Sequence, residues 1–292
     1  MKSTICGYAM AIFTIMMWSL NIIYSKFLSG ILSASEISFY RWVIGFFVML
    51  PIAWSGLKTY WRLLPRYWHI ILLMALTGIG FQNWFIYKAG DTIDATTMSL
   101  ISVSGPIFLI LLSRQRVSFL EICGMLLAIV GVADIILRGD WKNIATFQFE
   151  EGDFYMLGSA LMFAVYAIVE KKAPANIPST VLLTAAIAVC AIIFFFPSLP
   201  DLMEMHFRKI PKLTMVIIVI LGIMNSAFAY LSWDLAIRKI GAVNTGIMYY
   251  TMPIFAIIFA FVLLGEKIYE SQILGAIMIV AGVIMVILGR NK

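Results

Sequence analysis

The sequence predicts an all-α integral membrane protein whose ten transmembrane helices form two inverted-topology five-helix repeats. Three observations lead to this prediction. Of the 292 residues, 62% are hydrophobic and only 12% are charged, whereas a soluble domain is about half apolar and about a quarter charged. The apolar residues fall into ten continuous runs, each long enough to cross a bilayer. The two halves of the chain also match each other in order.

The composition also excludes several other classes of protein. A chain with a mean hydropathy of +0.98 cannot cover a water-facing surface, and it is neither a disordered segment nor a coiled coil. Its three cysteines, Cys6, Cys123 and Cys190, have no zinc spacing and form no redox pair, so we expect no metal and no cofactor. The net charge of +6 is spread over short loops. We therefore expect a lipid bilayer as the partner and no nucleic acid.

The ten runs follow one another with short connections. A helix needs about 20 apolar residues to cross about 30 Å of hydrocarbon. Strands of a membrane barrel are excluded, because the runs are continuously apolar and too long. The first run has no cleavage site, so we expect it to be retained. The predicted spans are residues 5–27, 36–55, 68–88, 93–113, 117–137, 153–173, 179–199, 212–236, 242–264 and 269–289.

Lysine and arginine residues in the loops predict the orientation, because cytoplasmic loops are richer in them. With the N-terminus inside, the cytoplasmic segments hold Lys2, Lys58, Arg62, Arg66, Arg114, Arg116, Lys171, Lys172, Arg238, Lys239, Arg290 and Lys292. The opposite side holds fewer: Lys26, Lys88, Arg138, Lys142, Arg208, Lys209, Lys212 and Lys267. This bias places both termini in the cytoplasm.

An internal repeat divides the chain into residues 1–145 and 146–292. Each part is a five-span unit, and an odd number of spans makes the second unit enter the membrane from the opposite side. Transporters with such inverted repeats bind their substrate near the midplane, between the two repeats. The aligned pairs are Gly7 with Gly152, Lys26 with Lys171, Phe81 with Phe228, Pro106 with Pro253, Gly124 with Gly275 and Gly131 with Gly282.

Several motifs resemble the EamA type of the drug/metabolite transporter superfamily. They are Trp18-Ser19-Leu20-Asn21, Arg41, the junctions Ala89…Ala95 and Ala236…Ala242, Pro106, Pro253 and Gly265-Glu266-Lys267. The resemblance covers essentially the whole chain. It implies two EamA-like repeats in the bacterial plasma (inner) membrane, and export of amino acids, nucleotide sugars or other metabolites. The first half departs from the motif, since Arg114-Gln115-Arg116 stands where the second half has Gly265-Glu266-Lys267, so we assign that acidic element no role there.

Polar and aromatic residues form stripes at helical spacing on matching spans of the two halves. Burying a polar group unpaired costs about 1–3 kcal/mol, so such a stripe faces protein or a watery cavity. We expect a central cavity bounded by spans 1, 3, 4, 6, 8 and 9, with spans 5 and 10 peripheral. The alternative is that each polar residue bonds a neighbouring helix. The predicted substrate-binding residues are Trp18, Asn21, Asn83, Trp84, Tyr87, Ser102, Tyr166, Glu170, Asn225, Tyr230, Trp233 and Tyr249.

Charged residues within the spans lie near their ends. Arg41 is about 8 Å from the outer end of span 2. It could hold a substrate carboxylate, or it could snorkel or tie span ends together, and we favour the structural role. No charged residue is expected at the span centres, which disfavours phosphate-bearing nucleotide sugars. Proton coupling would have to use Glu170 or another acid near a span end.

Small residues and prolines in the spans predict packing and bending. Gly124, Gly131, Gly275 and Gly282 recur seven residues apart, which predicts close helix contact. Pro106 and Pro253 are expected to kink spans 4 and 9, either as hinges or as simple bends.

The sequence contains no recognisable catalytic motif. His69 and His206 lie at a span start or in a loop, and there is no HExxH motif or hydrolase elbow. We therefore predict a membrane transporter, an exporter of small neutral or zwitterionic metabolites such as amino acids, that works by alternating access. The alternatives are a membrane-embedded enzyme and a receptor or assembly partner that does not transport.

Overall fold

A computed structural model of the chain describes residues 2–113, 118–143, 149–204, 210–249 and 251–290. Every regular element within these ranges is helical. The first half contains α1 (Lys2–Leu28), α2 (Ala34–Tyr60), α3 (Trp68–Met74), α4 (Gln82–Gly90), α5 (Ala95–Ser102), α6 (Gly105–Ser113) and α7 (Phe119–Ile136). The second half contains α8 (Glu151–Lys171), α9 (Ser179–Glu204), α10 (Lys212–Ile220), α11 (Ala229–Tyr249), α12 (Met252–Phe259) and α13 (Glu270–Arg290).

The helices confirm an all-α protein with several membrane spans. Within the described ranges, 6 helical segments are long and apolar enough to cross a membrane: Thr4–Leu28, Ala34–Tyr60, Leu64–Gly90, Glu151–Lys171, Ser179–Glu204 and Lys212–Ile240. Helices also lie in the remaining predicted runs. The number of ten spans and the inverted topology stay predictions.

Capping boxes lie at the start of three of these helices, α2, α7 and α8. The backbone N–H of Ser33 donates to the carboxylate of Glu36 at 3.0 Å, and the N–H of Glu36 donates back to the Ser33 hydroxyl at 3.2 Å. Ser118 and Glu121 form the same reciprocal pair before α7, at 2.6 and 3.2 Å. Each pair satisfies backbone donors that the first helical turn leaves free.

The helices end shortly before each of the repeated prolines. α5 ends at Ser102 before Pro106, and α11 ends at Tyr249 before Pro253, which lies in the first turn of α12. Proline has no N–H and restricts the residue before it, so a new helix starts there. The predicted start of span 9 at residue 242 lies inside α11, because no proline interrupts the helix before Tyr249.

The described ranges contain three π-helical segments: Ala260–Leu264 follows α12, and the other two lie at matching places in the two halves. Ala75–Phe81 joins α3 to α4, and Leu221–Phe228 joins α10 to α11. The 147-residue offset that aligns Pro106 with Pro253 also places residues 75–81 on 222–228. Their hydrogen bonds span five residues instead of four, which widens the helix, and such segments are frequent at functional sites.

α7 and α13 pack against each other through their glycines, at one side of the bundle. A Cβ atom placed on Gly131 would lie 2.8 Å from the carbonyl oxygen of Gly275, and one on Gly275 would lie 2.7 Å from the carbonyl oxygen of Gly131. Gly124 and Gly282 face each other in the same way. Only glycine allows the two backbones to come this close. We call this contact the glycine seam.

The remaining helix pairs follow the symmetry expected of two repeats. α1 of the first half packs on α11 of the second, and α8 of the second half packs on α4 of the first. α2 packs on α9, and α5 packs on α12. The described parts of the two halves are therefore interleaved, and helices from both surround the centre of the bundle.

Candidate functional site

Six of the predicted site residues surround one small cavity. They come from α1, α4, α5 and α11, and thus from both halves. These six are Trp18, Asn21, Asn83, Ser102, Tyr230 and Tyr249. The other lining residues are Gln82, Ile86, Ser159, Ala160, Phe163 and Met252. The role of the predicted residues in binding stays a prediction.

Aromatic rings from the two halves form one wall of the cavity. The ring of Trp18 lies 5.5 Å from that of Tyr230 and 6.1 Å from that of Tyr249, measured between centroids. Phe163 stacks on Tyr249 at 5.2 Å with an angle of 13° between the ring planes. Such a wall can hold an apolar group or the face of a ring.

Amides and hydroxyl groups form the polar part of the cavity. The Asn21 Nδ2 group donates to Asn83 Oδ1 at 3.2 Å, and Asn83 Nδ2 donates to the carbonyl oxygen of Ile79 at 3.0 Å. The Tyr230 hydroxyl donates to the carbonyl oxygen of Gly78 at 3.0 Å. Ile79 and Gly78 belong to the first π-helical segment, so this segment supplies acceptors for polar side chains of both halves.

The structure corrects the expectation that no charge reaches the centre. Arg41 Nη1 donates to Asn21 Oδ1 at 3.0 Å and to Asn83 Oδ1 at 2.8 Å, and both of these amides line the cavity. Arg41 itself is 1% exposed, so it does not snorkel to the interface. The depth of its Cα atom in span 2 does not predict where the charge lies, because the long side chain carries the guanidinium to the neighbouring helices.

Tyr87 and Trp84, both on α4, do not line the cavity. Tyr87 is 2% exposed; its hydroxyl accepts a hydrogen bond from Arg41 and donates to Asn21 Oδ1 at 2.8 Å. Trp84 points elsewhere: its indole Nε1 donates to the Ser35 hydroxyl at 3.2 Å. The predicted inward orientation of Trp84 is therefore replaced by a contact between α4 and α2.

The other four predicted residues also lie outside the cavity lining. Trp233 packs behind Trp18 at 5.1 Å, and Tyr166 packs against Gly78. Asn225 donates through Nδ2 to the carbonyl oxygen of Met17. Glu170 lies in the last turn of α8, close enough to Asp234 for their like charges to repel. These residues support or flank the cavity.

The helical period could have identified two of the lining residues that were not predicted. Ser159 and Phe163 lie on the same helical stripe as Tyr166, and the Ser159 hydroxyl donates to the carbonyl oxygen of Gln82 at 3.0 Å. Nothing in the sequence distinguishes Ala160, Ile86 and Met252 from the other apolar residues of apolar spans, so they could not be predicted to line a cavity. Within the described ranges, no three His, Cys, Asp or Glu side chains come together to hold a metal ion.

A second contact between the halves lies at the start of α5. The carboxylate of Glu266 accepts a hydrogen bond from the N–H of Ala95 at 2.9 Å and from that of Thr96 at 3.2 Å. Nearby, Gln272 Nε2 donates to Asp94 Oδ1 at 3.1 Å. The segment around Glu266 in the second half therefore caps a helix of the first.

Comparison with known protein families shows which family this chain matches. The model of the EamA-like transporter family matches residues 5–137 and again residues 150–288. The chain belongs to the EamA-like transporter family. The two matches divide this EamA-like protein at nearly the same place as the internal alignment of its sequence.

Relatives of this EamA-like protein are named as transporters. A "Probable terminal-alkyne amino-acid exporter" of Streptantibioticus cattleyicolor is 27% identical over 231 residues, which cover 76% of this chain and 75% of the relative. An "Uncharacterized transporter" of Archaeoglobus fulgidus is 23% identical over 281 residues, covering 95% and 97%. A solved structure titled "Crystal structure of protein" has a TM-score of 0.62 at 18% identity, covering 99% of this chain and 98% of that one. This last likeness shows the fold.

Proposed function

We propose that this EamA-like protein exports small neutral or zwitterionic metabolites, such as amino acids or related compounds, across the bacterial inner membrane by alternating access. One observation carries the proposal: polar and aromatic side chains from both halves meet around one small cavity. The name of the Streptantibioticus relative supports the amino-acid class and the outward direction.

The chemistry of the cavity favours a substrate with an apolar part and a polar part. Aromatic faces contribute about 0.5–2 kcal/mol per contact with an apolar or cationic group. The Asn21 and Asn83 amides and the Ser102 hydroxyl can orient the polar part. Contacts of this size are weak enough to release the substrate on either side, as turnover requires.

The arrangement of the two halves supports alternating access. In the proposed mechanism, residues 1–145 and 146–292 are inverted repeats that rock around the cavity, and both termini lie in the cytoplasm. The helix interruptions before Pro106 and Pro253 lie beside the cavity residues Ser102 and Tyr249, where they can act as hinges. No covalent chemistry takes part.

Flux measurements in proteoliposomes test the proposal. The full chain is reconstituted, the vesicles are loaded with the twenty proteinogenic amino acids, and release is followed by mass spectrometry against protein-free vesicles. We expect selective release of amino acids with apolar or aromatic side chains. The variant Tyr249→Leu, in the cavity, should lower this release, because Tyr249 is 6% exposed and forms part of the aromatic wall.

Tyr269→Leu provides the matched control, because Tyr269 is 58% exposed and lies outside the cavity. It should leave the release rate unchanged. Equal rates for vesicles with and without protein would overturn the transport proposal for this substrate class. Equal loss in both tyrosine variants would show that the cavity is not the path.

A further inference from the structure

We propose that Arg41 binds the carboxylate group of the transported metabolite, an inference that rests on the proposed transport function and narrows its substrate to carboxylate-bearing compounds. The starting point is the burial of this side chain. Arg41 is among the largest fully buried side chains of the described residues. A guanidinium does not lose its proton in proteins, so a full positive charge lies inside the bundle.

The partners of Arg41 are all neutral. Nε donates to the Ser226 hydroxyl at 2.9 Å, while Nη1 donates to the Asn21 and Asn83 amide oxygens and to the Tyr87 hydroxyl. In the part of the chain that the structure describes, the ion pairs are Arg138–Glu150 and Arg238–Asp234, and neither involves Arg41. A buried charge without an opposite charge is costly, so its retention inside a membrane span indicates a functional partner.

One further donor beside this charge lacks an acceptor. The guanidinium lies 4.4 Å from the centre of the Trp42 ring, and the Trp42 indole Nε1 is buried with no hydrogen-bond partner in the described structure. A carboxylate supplies both the missing negative charge and the oxygen acceptors, and a guanidinium binds it through two parallel hydrogen bonds.

The cavity gives a carboxylate access to this site. Asn21 and Asn83 lie between the cavity and the guanidinium, since both line the cavity and both accept from Nη1. A carboxylate oxygen that replaces one amide oxygen on Nη1 would leave the apolar part of the metabolite beside Trp18 and Phe163. Because Ser226 belongs to the second half and the other partners to the first, the bound carboxylate would also lie where the halves meet.

A purely structural role for Arg41 predicts a different result. A tie between helices supports every substrate equally, whereas a carboxylate-binding residue supports only substrates that carry this group. The test therefore compares amino acids with their amides, which keep the side chain and the amino group and lack only the carboxylate. L-phenylalanine with L-phenylalaninamide and L-leucine with L-leucinamide are suitable pairs.

The experiment measures uptake of the four compounds into proteoliposomes that contain the full chain. We expect the wild type to prefer each acid over its amide by about tenfold or more, as for a hydrogen bond to a charged group. Arg41→Gln should abolish this preference, and Arg41→Lys should retain part of it. Lys26→Gln is the charge-matched control, because Lys26 Nζ donates to the backbone oxygens of Gly90 and Ile93; its acid-to-amide ratio should stay at the wild-type value.

The outcomes separate this inference from the proposed function. Equal uptake of acids and amides by the wild type would overturn the role of Arg41 while transport itself stands. An unchanged ratio in Arg41→Gln would do the same. Uptake of none of the four compounds above protein-free vesicles would overturn both. The wild-type ratio alone can overturn the inference even if Arg41→Gln fails to fold.

Discussion

The carboxylate of Glu266 caps helix α5 from the opposite half of the molecule, with Oε1 2.9 Å from the backbone nitrogen of Ala95. The Thr96 hydroxyl also donates to this carboxylate, at 3.2 Å. A negative charge at a helix N-terminus is stabilised by the helix dipole and satisfies free backbone donors. The contact therefore caps the start of α5 and joins the two halves.

Replacing Glu266 should destabilise the protein in two steps. Glu266→Gln keeps one acceptor and loses the charge, and Glu266→Ala loses both, so the melting temperature in detergent should fall from wild type to Gln to Ala. The expected cost for Ala is about 0.5–2 kcal/mol. Lys267→Gln changes an exposed charge beside Glu266 and should leave the melting temperature at the wild-type value. A wild-type melting temperature for the Ala variant would contradict the assigned capping role.

Trp18→Ala should weaken substrate binding without unfolding the protein. Trp18 contacts four aromatic rings, so its removal should raise the KM for a transported amino acid about tenfold or more. Trp84→Ala should raise the KM less, because Trp84 lines no part of the cavity. Trp61, which is 58% exposed, gives the control Trp61→Ala. A larger KM effect in Trp84→Ala than in Trp18→Ala would contradict the position of the cavity.

Gly131→Leu should disrupt the glycine seam. The new side chain would collide with the Gly275 backbone, and overpacking of this kind costs about 1–3 kcal/mol. We expect a lower yield and a lower melting temperature in detergent. Val130→Leu adds a methylene group on the neighbouring, 42% exposed position and should be tolerated. Similar yields for the two variants would show that α7 and α13 are not closely packed at Gly131.

Glu170→Gln tests whether flux is coupled to protons. Glu170 lies at the end of α8 and outside the cavity lining, so we expect the variant to keep both pH-driven flux and exchange of substrate for substrate. Glu151→Gln, at the other end of the same helix, is the matched control. Loss of pH-driven flux with preserved exchange would instead identify Glu170 as the proton carrier.

Cysteine labelling tests the predicted topology. In a cysteine-free background, Thr59→Cys and Lys142→Cys should react with a membrane-impermeant reagent from opposite sides, Thr59→Cys from the cytoplasm. Both positions are exposed in the structure. Labelling of both from one side would be incompatible with the inverted repeat.

The sequence predicts the helices well, because bilayer thickness sets the length of an apolar run. It does not predict where a helix is interrupted. Side-chain contacts from distant parts of the chain determine where α5 and α11 end. They also determine where the two matched π-helical segments lie. The hydrogen bond from Tyr230 to Gly78 is one example, since it joins residues 152 positions apart.

The predicted residues of α1 line the cavity, whereas those of α8, Tyr166 and Glu170, do not. On α1, a constant helical period places Trp18 and Asn21 on the same face, and both line the cavity. In span 3, the predicted residues Asn83, Trp84 and Tyr87 follow directly after a π-helical segment, where the helical period changes. There the predicted Asn83 lines the cavity together with Gln82 and Ile86, whereas Trp84 of the same stripe does not.

The glycine seam has a consequence for the origin of the chain. It pairs α7, the last described helix of the first half, with α13, the last of the second, through glycines that the two halves share. A shorter ancestral polypeptide with a single such half would have carried this self-complementary face and could have associated with a second copy of itself. Gene duplication and fusion would then join two partners that already recognised each other, after which their loops and cavity residues were free to diverge.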